Sequence, residues 1–206
     1  MIIKQIPVGP LQANCFIVGC KQTKEAVVID PGGDSDQILM ALAKDQLTVK
    51  HILNTHGHFD HVGANAPIKK ATKAPLWIHK DDAEMLAYVA SSASAWGLNS
   101  ENSPDPDQFL NDNDTIQFGQ FTITVLHTPG HSLGGVSFLT NNAVFVGDTL
   151  FEGSIGRTDF PGGDYNTLIQ SVRNRLFTLS DDLQVYTGHG PSTTIGHEKR
   201  TNPFFQ

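Results

Sequence analysis

The ten residues Asn54 to Gly63, NTHGHFDHVG, decide how the rest of the chain is read. They place His56, His58, Asp60 and His61 within six positions. Three imidazoles and a carboxylate so close together fit poorly in an apolar core and would strain an ordinary surface loop. A bound cation resolves the conflict. In an extended segment side chains alternate, so His56 and His58 point to the same side and both reach one ion. Asp60 and His61 are adjacent, and an extended chain would send them apart. A turn or helix start after Phe59 brings both round to a second ion, and Gly57 keeps the loop slim. The spacing suits two neighbouring metals better than one.

Three more pieces extend the set. TPGHS supplies His131, VGDT supplies Asp148 and TGHG supplies His189. Each follows an apolar run that reads as a strand (FTITVL, AVFV and LQVY), and each is directly preceded by a glycine, Gly130, Gly147 or Gly188. A lone histidine at a strand end is more often a satisfied hydrogen-bonding group than a ligand. Four strand ends delivering polar ligands to one rim are a different matter, because that rim is where open α/β sheets bind their ligands. Five histidines and two aspartates make a nitrogen-and-oxygen set that suits Zn²⁺, Fe or Mn²⁺ rather than a thiolate site. The other histidines, His51, His79, His127 and His197, are read as structural. His127 has the best claim among them to support a ligand, since it precedes His131 by four residues.

Composition sets the frame. Of 206 residues, 39% are hydrophobic and 17% charged, enough apolar material for one sizeable core and too little charge for a disordered chain. No apolar run approaches the ~20 residues needed to span a bilayer. The opening MIIKQIPVGPLQANCF lacks the apolar core of a signal peptide. A cytoplasmic location without membrane attachment is expected. The net charge of −7 argues against nucleic acid as the partner, because phosphate backbones need a basic surface. Cys15 and Cys20 lie five residues apart along a strand, roughly 16 Å, beyond disulfide reach. Two reduced thiols are expected.

The periodicity predicts strands over 13–20, 25–30, 49–55, 74–79, 134–140, 142–148 and 183–189, the last of these as the final strand. A hairpin is predicted over 114–128. Helices are expected over 37–46, capped by Asp34 or Ser35, over 65–72, over 80–96 and over 167–179, with a loop over 97–107. Mixed strands and helices without an internal repeat or a linker make one α/β unit over residues 1–206.

THGHFDH, then PGH, then GD, then GH, in this order from Thr55 to Gly190, resembles the motif set of the metallo-β-lactamase fold family. The resemblance implies a four-layer αββα sandwich. It also implies a partition of the ligands. His56, His58 and His131 hold a first metal, Asp60, His61 and His189 hold a second, and Asp148 bridges them. Penicillin-hydrolysing members usually carry a cysteine near the place of Asp148. The aspartate, together with LFEGSIGRTDFPGGD (150–164) and the tail HEKRTNPFF, looks like the short bacterial glyoxalase II-like hydroxyacylglutathione hydrolases. Full-length glyoxalase II adds a C-terminal helical domain with much of the glutathione contact, and only 17 residues follow His189 here. No such domain is expected, so the chemistry carries over more firmly than the thiol.

The expected reaction is hydrolysis of a small-molecule thioester, of the S-lactoylglutathione type, by attack of a metal-bridging hydroxide. Two divalent ions lower the pKa of water enough to supply one at neutral pH, and they keep the site positive for the developing oxyanion. Zinc is the expected metal, with Fe and Mn also compatible. Asp60 is expected to orient the hydroxide as well as bind metal. Arg157 is the candidate for a substrate carboxylate, although Asp159 could pair with it instead. Three rivals share the motifs or the metals: a phosphodiesterase or nuclease, an iron-dependent persulfide dioxygenase, and a metal-binding protein without catalysis. The acidic balance and the intact ligand set count against the first and the last.

Overall fold

A computed structural model describes residues 1–206. Its first half builds one sheet from β1 (Ile2–Val8), β2 (Ala13–Gly19), β3 (Glu25–Ile29), β4 (Thr48–Leu53), β5 (Leu76–His79) and β6 (Gln108–Leu110), paired in that order. Between these strands run α1 (Ser35–Lys44), α2 (Phe59–Val62), α3 (Asn65–Thr72), a run of 3₁₀ turns over Lys80–Tyr88, and α4 (Val89–Ala95). The second half builds a facing sheet from β7 (Thr115–Phe118), β8 (Phe121–His127), β9 (Val136–Leu139) and β10 (Ala143–Gly147). A small β11 (Leu150–Phe151)–β12 (Ser154–Ile155) ribbon and α5 (Tyr165–Ser171) follow. The sheet is completed by β13 (Gln184–Thr187) and β14 (Thr193–Thr194), and the chain goes on into α6 (Ile195–Thr201). Its strand order is β14-β13-β10-β9-β8-β7.

The four layers follow from burial on both faces of each sheet. In β3, Val27 and Ile29 join Phe16, Val18 and Leu53 against Ile116, Ile123, Val125, Phe138 and Phe145 of the other sheet. The alternate residues Ala26 and Val28 turn the other way, onto Ile38 and Leu42 of α1 and Ile68 of α3. On the far side, Val144, Val146 and Val185 pack on Val172, Leu176 and Ile195. Strands buried on both faces read as continuous apolar runs, which is why 13–20, 25–30 and 142–148 are so easily seen. Phe145, Phe16 and Tyr186 bind the sheets where they meet, with Phe16 edge-on to Phe145 at 5.1 Å. No helix is long and apolar enough to cross a membrane. Cys15 and Cys20 are buried free thiols, as the strand spacing requires.

Several expectations need correction. The strand β1 was not foreseen, and it pairs with β2 over its whole length. Residues 80–96 do not form one α-helix. They wind as 3₁₀ turns to Tyr88 and as α4 beyond. The predicted helix 167–179 is α5 followed by a π-helical turn over Val172–Leu176. Residues 183–189 are not the last strand, since β14 pairs back onto β13. Asp34 stands at the N-cap of α1 with a left-handed backbone (φ 46°), and its carboxylate accepts the Gly9 amide at 2.8 Å instead of capping the helix.

Strand direction makes the rim. β3, β4, β5 and β6 are mutually parallel, and so are β10 and β13. Their C-terminal ends, with that of β8, come together on one side of the sandwich. The Val136 amide donates to the Thr55 carbonyl at 2.8 Å and stitches the two sheets there.

Candidate metal centre

All seven residues singled out from the motifs meet at that rim. His56 and His58 lie on the extended segment after β4. Asp60 and His61 are carried round by α2, whose N-cap residue is His58. This is the helix start that the adjacent pair required. The donor atoms of His56, His58 and His131 lie within 4.8 Å of one another, and so do those of Asp60, His61 and His189. Asp148 stands between the two groups. Its Oδ1 is 3.4 Å from His61 Nε2, and its Oδ2 is 3.6 Å from His131 Nε2 and 3.7 Å from His189 Nε2.

The backbone around Asp148 is tight. Gly188 packs against it so closely that a Cβ there would overlap Asp148 Oδ1. The glycines before the other two ligands act differently: Gly130 and Gly147 take positive φ angles of 127° and 51°.

Second partners set the tautomers. His131 Nδ1 donates to the Arg157 carbonyl at 2.8 Å, and a carbonyl can only accept, so Nε2 faces the site with its lone pair free. His61 Nδ1 donates to Asp30 Oδ2 at 3.1 Å, which makes Nε2 the nitrogen that faces the site. Thr55 gives its hydroxyl proton to Asp30 at 2.6 Å and accepts from His56 Nδ1 at 3.0 Å.

The residues fit a pair of metal ions by a test independent of any motif. His56 Nε2 and Asp148 Oδ1 are buried polar atoms without a hydrogen-bond partner. Such atoms are costly unless something binds them. His58 Nδ1 and His131 Nε2 approach to 2.9 Å, and His61 Nε2 and His189 Nε2 to 3.3 Å. Metal–nitrogen bonds of about 2.0–2.1 Å in a tetrahedron place donors ~3.3 Å apart, the spacing of the second pair and a few tenths of an ångström more than that of the first.

The two groups differ in charge. Burial pushes His56 well down, and burial with the neighbouring His131 pushes His58 down to about 4, so both are neutral imidazoles ready to donate lone pairs. In the second group burial is outweighed. Asp148, Asp60 and the Asp30 hydrogen bond push His61 up to about 10, and the Asp60 hydrogen bond with the Asp148 charge raises His189. Burial disfavours the charged form of Asp60, but His61 and the bond from His189 overcome it and hold the carboxyl below its usual range. Three carboxylates facing two imidazoles make a site that holds positive charge.

Two supporting residues were missed in the sequence. Asp30 directly follows β3 and is 1% exposed. It receives the Thr55 amide at 2.7 Å besides the bonds above. Its signal was a polar residue closing an apolar run just before the Pro-Gly-Gly turn. Asp82 stands in the first turn of the helix expected over 80–96, where an exposed acid is ordinary, yet it is 1% exposed. It accepts from the Gly57 amide at 3.0 Å, the Ser132 hydroxyl at 2.6 Å and the Gly134 amide at 2.6 Å. Asp82 thereby clamps the THGHFDH loop to the PGHS loop. Replacing it by Asn turns an NH₂ group toward one of these donors. We expect Asp82→Asn to lower stability by about 2 kcal/mol, or ~4–8 °C in melting temperature for a chain of this size. A thermal melt followed by circular dichroism checks this, and an unchanged midpoint would reduce the clamp to a passive contact.

His127 does not touch a candidate ligand. It stacks on His79 with ring centroids 4.5 Å apart and meets the Leu133 carbonyl at 3.1 Å. Arg157 lies at the mouth of a cavity of about 610 Å³ that opens on His58, Asp60, His131, Asp148 and His189. Leu11, Phe59, Met85, Trp96, Phe160 and Pro161 give the cavity apolar walls. The Arg157 guanidinium pairs with Asp159, the partner left open by the sequence.

Comparisons with known proteins place the chain in a family. Residues 8–189 match the family described as "Metallo-beta-lactamase superfamily". The chain is 39% identical to "Hydroxyacylglutathione hydrolase GloC" of Haemophilus influenzae, over 99% of this chain and 98% of that protein. Among solved structures, that of "BLEG-1 B3 metallo-beta-lactamase" is 39% identical with a TM-score of 0.93 and complete coverage of both chains. "TTHA1623 in a di-iron-bound form" is 41% identical with a TM-score of 0.90, covering 98% of this chain and 99% of that one.

Proposed function

Because the chain belongs to the metallo-β-lactamase superfamily, and so is a metal-dependent hydrolase by kinship, we propose that it is a thioesterase of the glyoxalase II type. Its preferred substrates are hydroxyacyl thioesters such as S-lactoylglutathione. The observation that carries this reading is Asp148, a carboxylate between two imidazole-bearing triads at the floor of an apolar-walled cavity. End-to-end similarity to a protein named as a hydroxyacylglutathione hydrolase supports it.

His56, His58 and His131 would hold one ion, Asp60, His61 and His189 the other, and Asp148 both. Such a donor set suits Zn, Fe and Mn. We take zinc as the working metal, and the di-iron form of a similar chain keeps iron in the test. When bound, the ion pair supplies Lewis acidity and lowers the pKa of water from 15.7 to about 7.

The chain's own residues do the rest. Asp60 faces the cavity from α2 and accepts the hydrogen bond that aims the attacking water at the acyl carbon. Water adds and the C–S bond breaks; one of the water's protons leaves on the thiol, the other passes to bulk solvent, and the acid stays as a carboxylate. Asp30, Thr55 and the Arg157 carbonyl keep the imidazoles from rotating. The walls around Phe59, Trp96 and Phe160 hold the acyl or thiol arm and thin the water around the ester. No protein nucleophile is required.

Arg157 binds the anionic arm of the substrate. Arg157→Ala should raise KM for a carboxylate-bearing thioester by about threefold to tenfold, with kcat less affected, the pattern of lost ground-state binding. Identical kinetics in wild type and variant would return Arg157 to a purely structural pairing.

The deciding experiment is a panel of thioesters on purified protein with metal content measured in parallel. Hydrolysis of none of them by a metal-loaded sample would sink the reading. A second reading, β-lactam hydrolysis, has one observation in its favour, the similarity to BLEG-1 B3 metallo-beta-lactamase. Nitrocefin belongs in the panel for that reason.

A further inference from the structure

Arg157 is the one permanent cation among the side chains lining the cavity, and it is already engaged. Its Nε donates to Asp159 Oδ1 and its Nη2 to Asp159 Oδ2, both at 2.7 Å. This is the two-pronged geometry in which a guanidinium takes a substrate carboxylate. The guanidinium carbon also lies over the Phe160 ring, 3.7 Å from its centroid. Phe160 in turn meets His58 edge-on at 5.6 Å.

The root of the loop is fixed to the candidate metal centre. His131 holds the Arg157 carbonyl, and Gly156 packs so closely on the Asp148 carbonyl that no Cβ fits. Backbone and ring together set where the guanidinium stands, while Asp159 decides whether its donors are free. The Asp159 side chain is 67% exposed and Arg157 46% exposed. Water screens such a pair, so an incoming carboxylate can displace Asp159, though against competition.

We propose that Asp159 is a specificity-determining residue: its carboxylate competes for Arg157 and so reduces the advantage that Arg157 gives to thioesters whose arm at the cavity mouth is anionic over those whose arm is neutral. With Asp159 in place the mouth is electrically balanced, and without it one positive charge faces the incoming ligand. The proposal rests on the thioesterase reading, in which Arg157 meets the substrate, and its test is built on binding so that the two can fail separately.

The probes are two thioethers that cannot be hydrolysed, S-butylglutathione with its carboxylates and neutral S-butyl-N-acetylcysteamine. They are titrated calorimetrically into metal-loaded wild type, Asp159→Asn and the double variant Arg157→Ala/Asp159→Asn. Asp159→Asn is expected to tighten the glutathione thioether about fivefold, the scale of one exposed ion pair, and to move the neutral one by less than about twofold. The gain should vanish in the double variant. An unchanged preference in Asp159→Asn overturns the proposal. A gain that persists without Arg157 also overturns it, since the effect would then be the general loss of a negative charge. Weakened binding of both probes in Asp159→Asn would make Asp159 a prop of the loop and equally dismiss the assignment. If the binding shift appears but no thioester is turned over, the thioesterase reading fails and the discrimination by Asp159 stands.

Discussion

Asp148→Ala is expected to empty both metal positions together. The wild type should carry about two ions per chain, the stoichiometry of sites that share one bridging group. In the variant, elemental analysis should find well under one. One carboxylate lies within 3.4–3.7 Å of His61, His131 and His189, so its removal takes a donor from each group. It also takes negative charge from a site that needs it to hold a pair of dications. Turnover should fall at least ~10²–10³-fold, the cost of losing one principal electrostatic group in a catalytic site. His189→Ala is the informative contrast. It removes a donor from the second triad only, and His56, His58 and His131 keep all their nitrogens. A sample of Asp148→Ala that retains two ions would show that Asp148 is not shared. Wild-type protein without metal after careful preparation would remove the basis of the whole functional reading.

The candidate site was legible in the sequence because its residues break a pattern. His56, His58, Asp60 and His61 interrupt the end of an apolar run, and His131, Asp148 and His189 do the same three more times. Strands buried on both faces stand out as long hydrophobic stretches, so the sheet interiors were legible too. What stayed hidden depended on partners distant in the chain. β1 carries Lys4, Gln5 and Pro7 among its seven residues, and only its pairing with β2 makes it a strand. Asp82 looks like an ordinary first-turn acid until Gly57, Ser132 and Gly134 arrive from two other loops. Their pull inward accompanies the 3₁₀ winding that replaces the expected α-helix. The short β14 forms because Thr193 and Thr194 fold back on β13, and two residues have no periodicity to read. Arg157 was visible as a cation near the site, while its bidentate hold by Asp159 was one of two outcomes the sequence allowed.

Asp60 has two separable duties, and one variant tells them apart. Its Oδ2 lies 3.2 Å from His189 Nε2 and 3.7 Å from His61 Nε2, which places it with the second triad. It also lines the cavity, so the carboxylate reaches the space where water and ester must meet. If Asp60 serves only to hold metal, Asp60→Asn weakens the second position and excess metal restores activity. If it also orients the attacking water, repletion cannot repair the loss. The amide keeps one oxygen that can ligate, but it gives up the negative charge, and its NH₂ end donates where the carboxylate accepted. A nucleophile misplaced by about 1 Å loses ~10²-fold, and removal of a general base costs on the order of 10²-fold or more. Since the amide preserves part of the geometry, we expect Asp60→Asn, reconstituted to two metals, to remain between about tenfold and 10²-fold down in kcat. Metal content and turnover measured on the same sample decide it. Full activity at full occupancy would leave Asp60 a ligand alone, and the aim of the water would then have to come from the metals and the cavity walls.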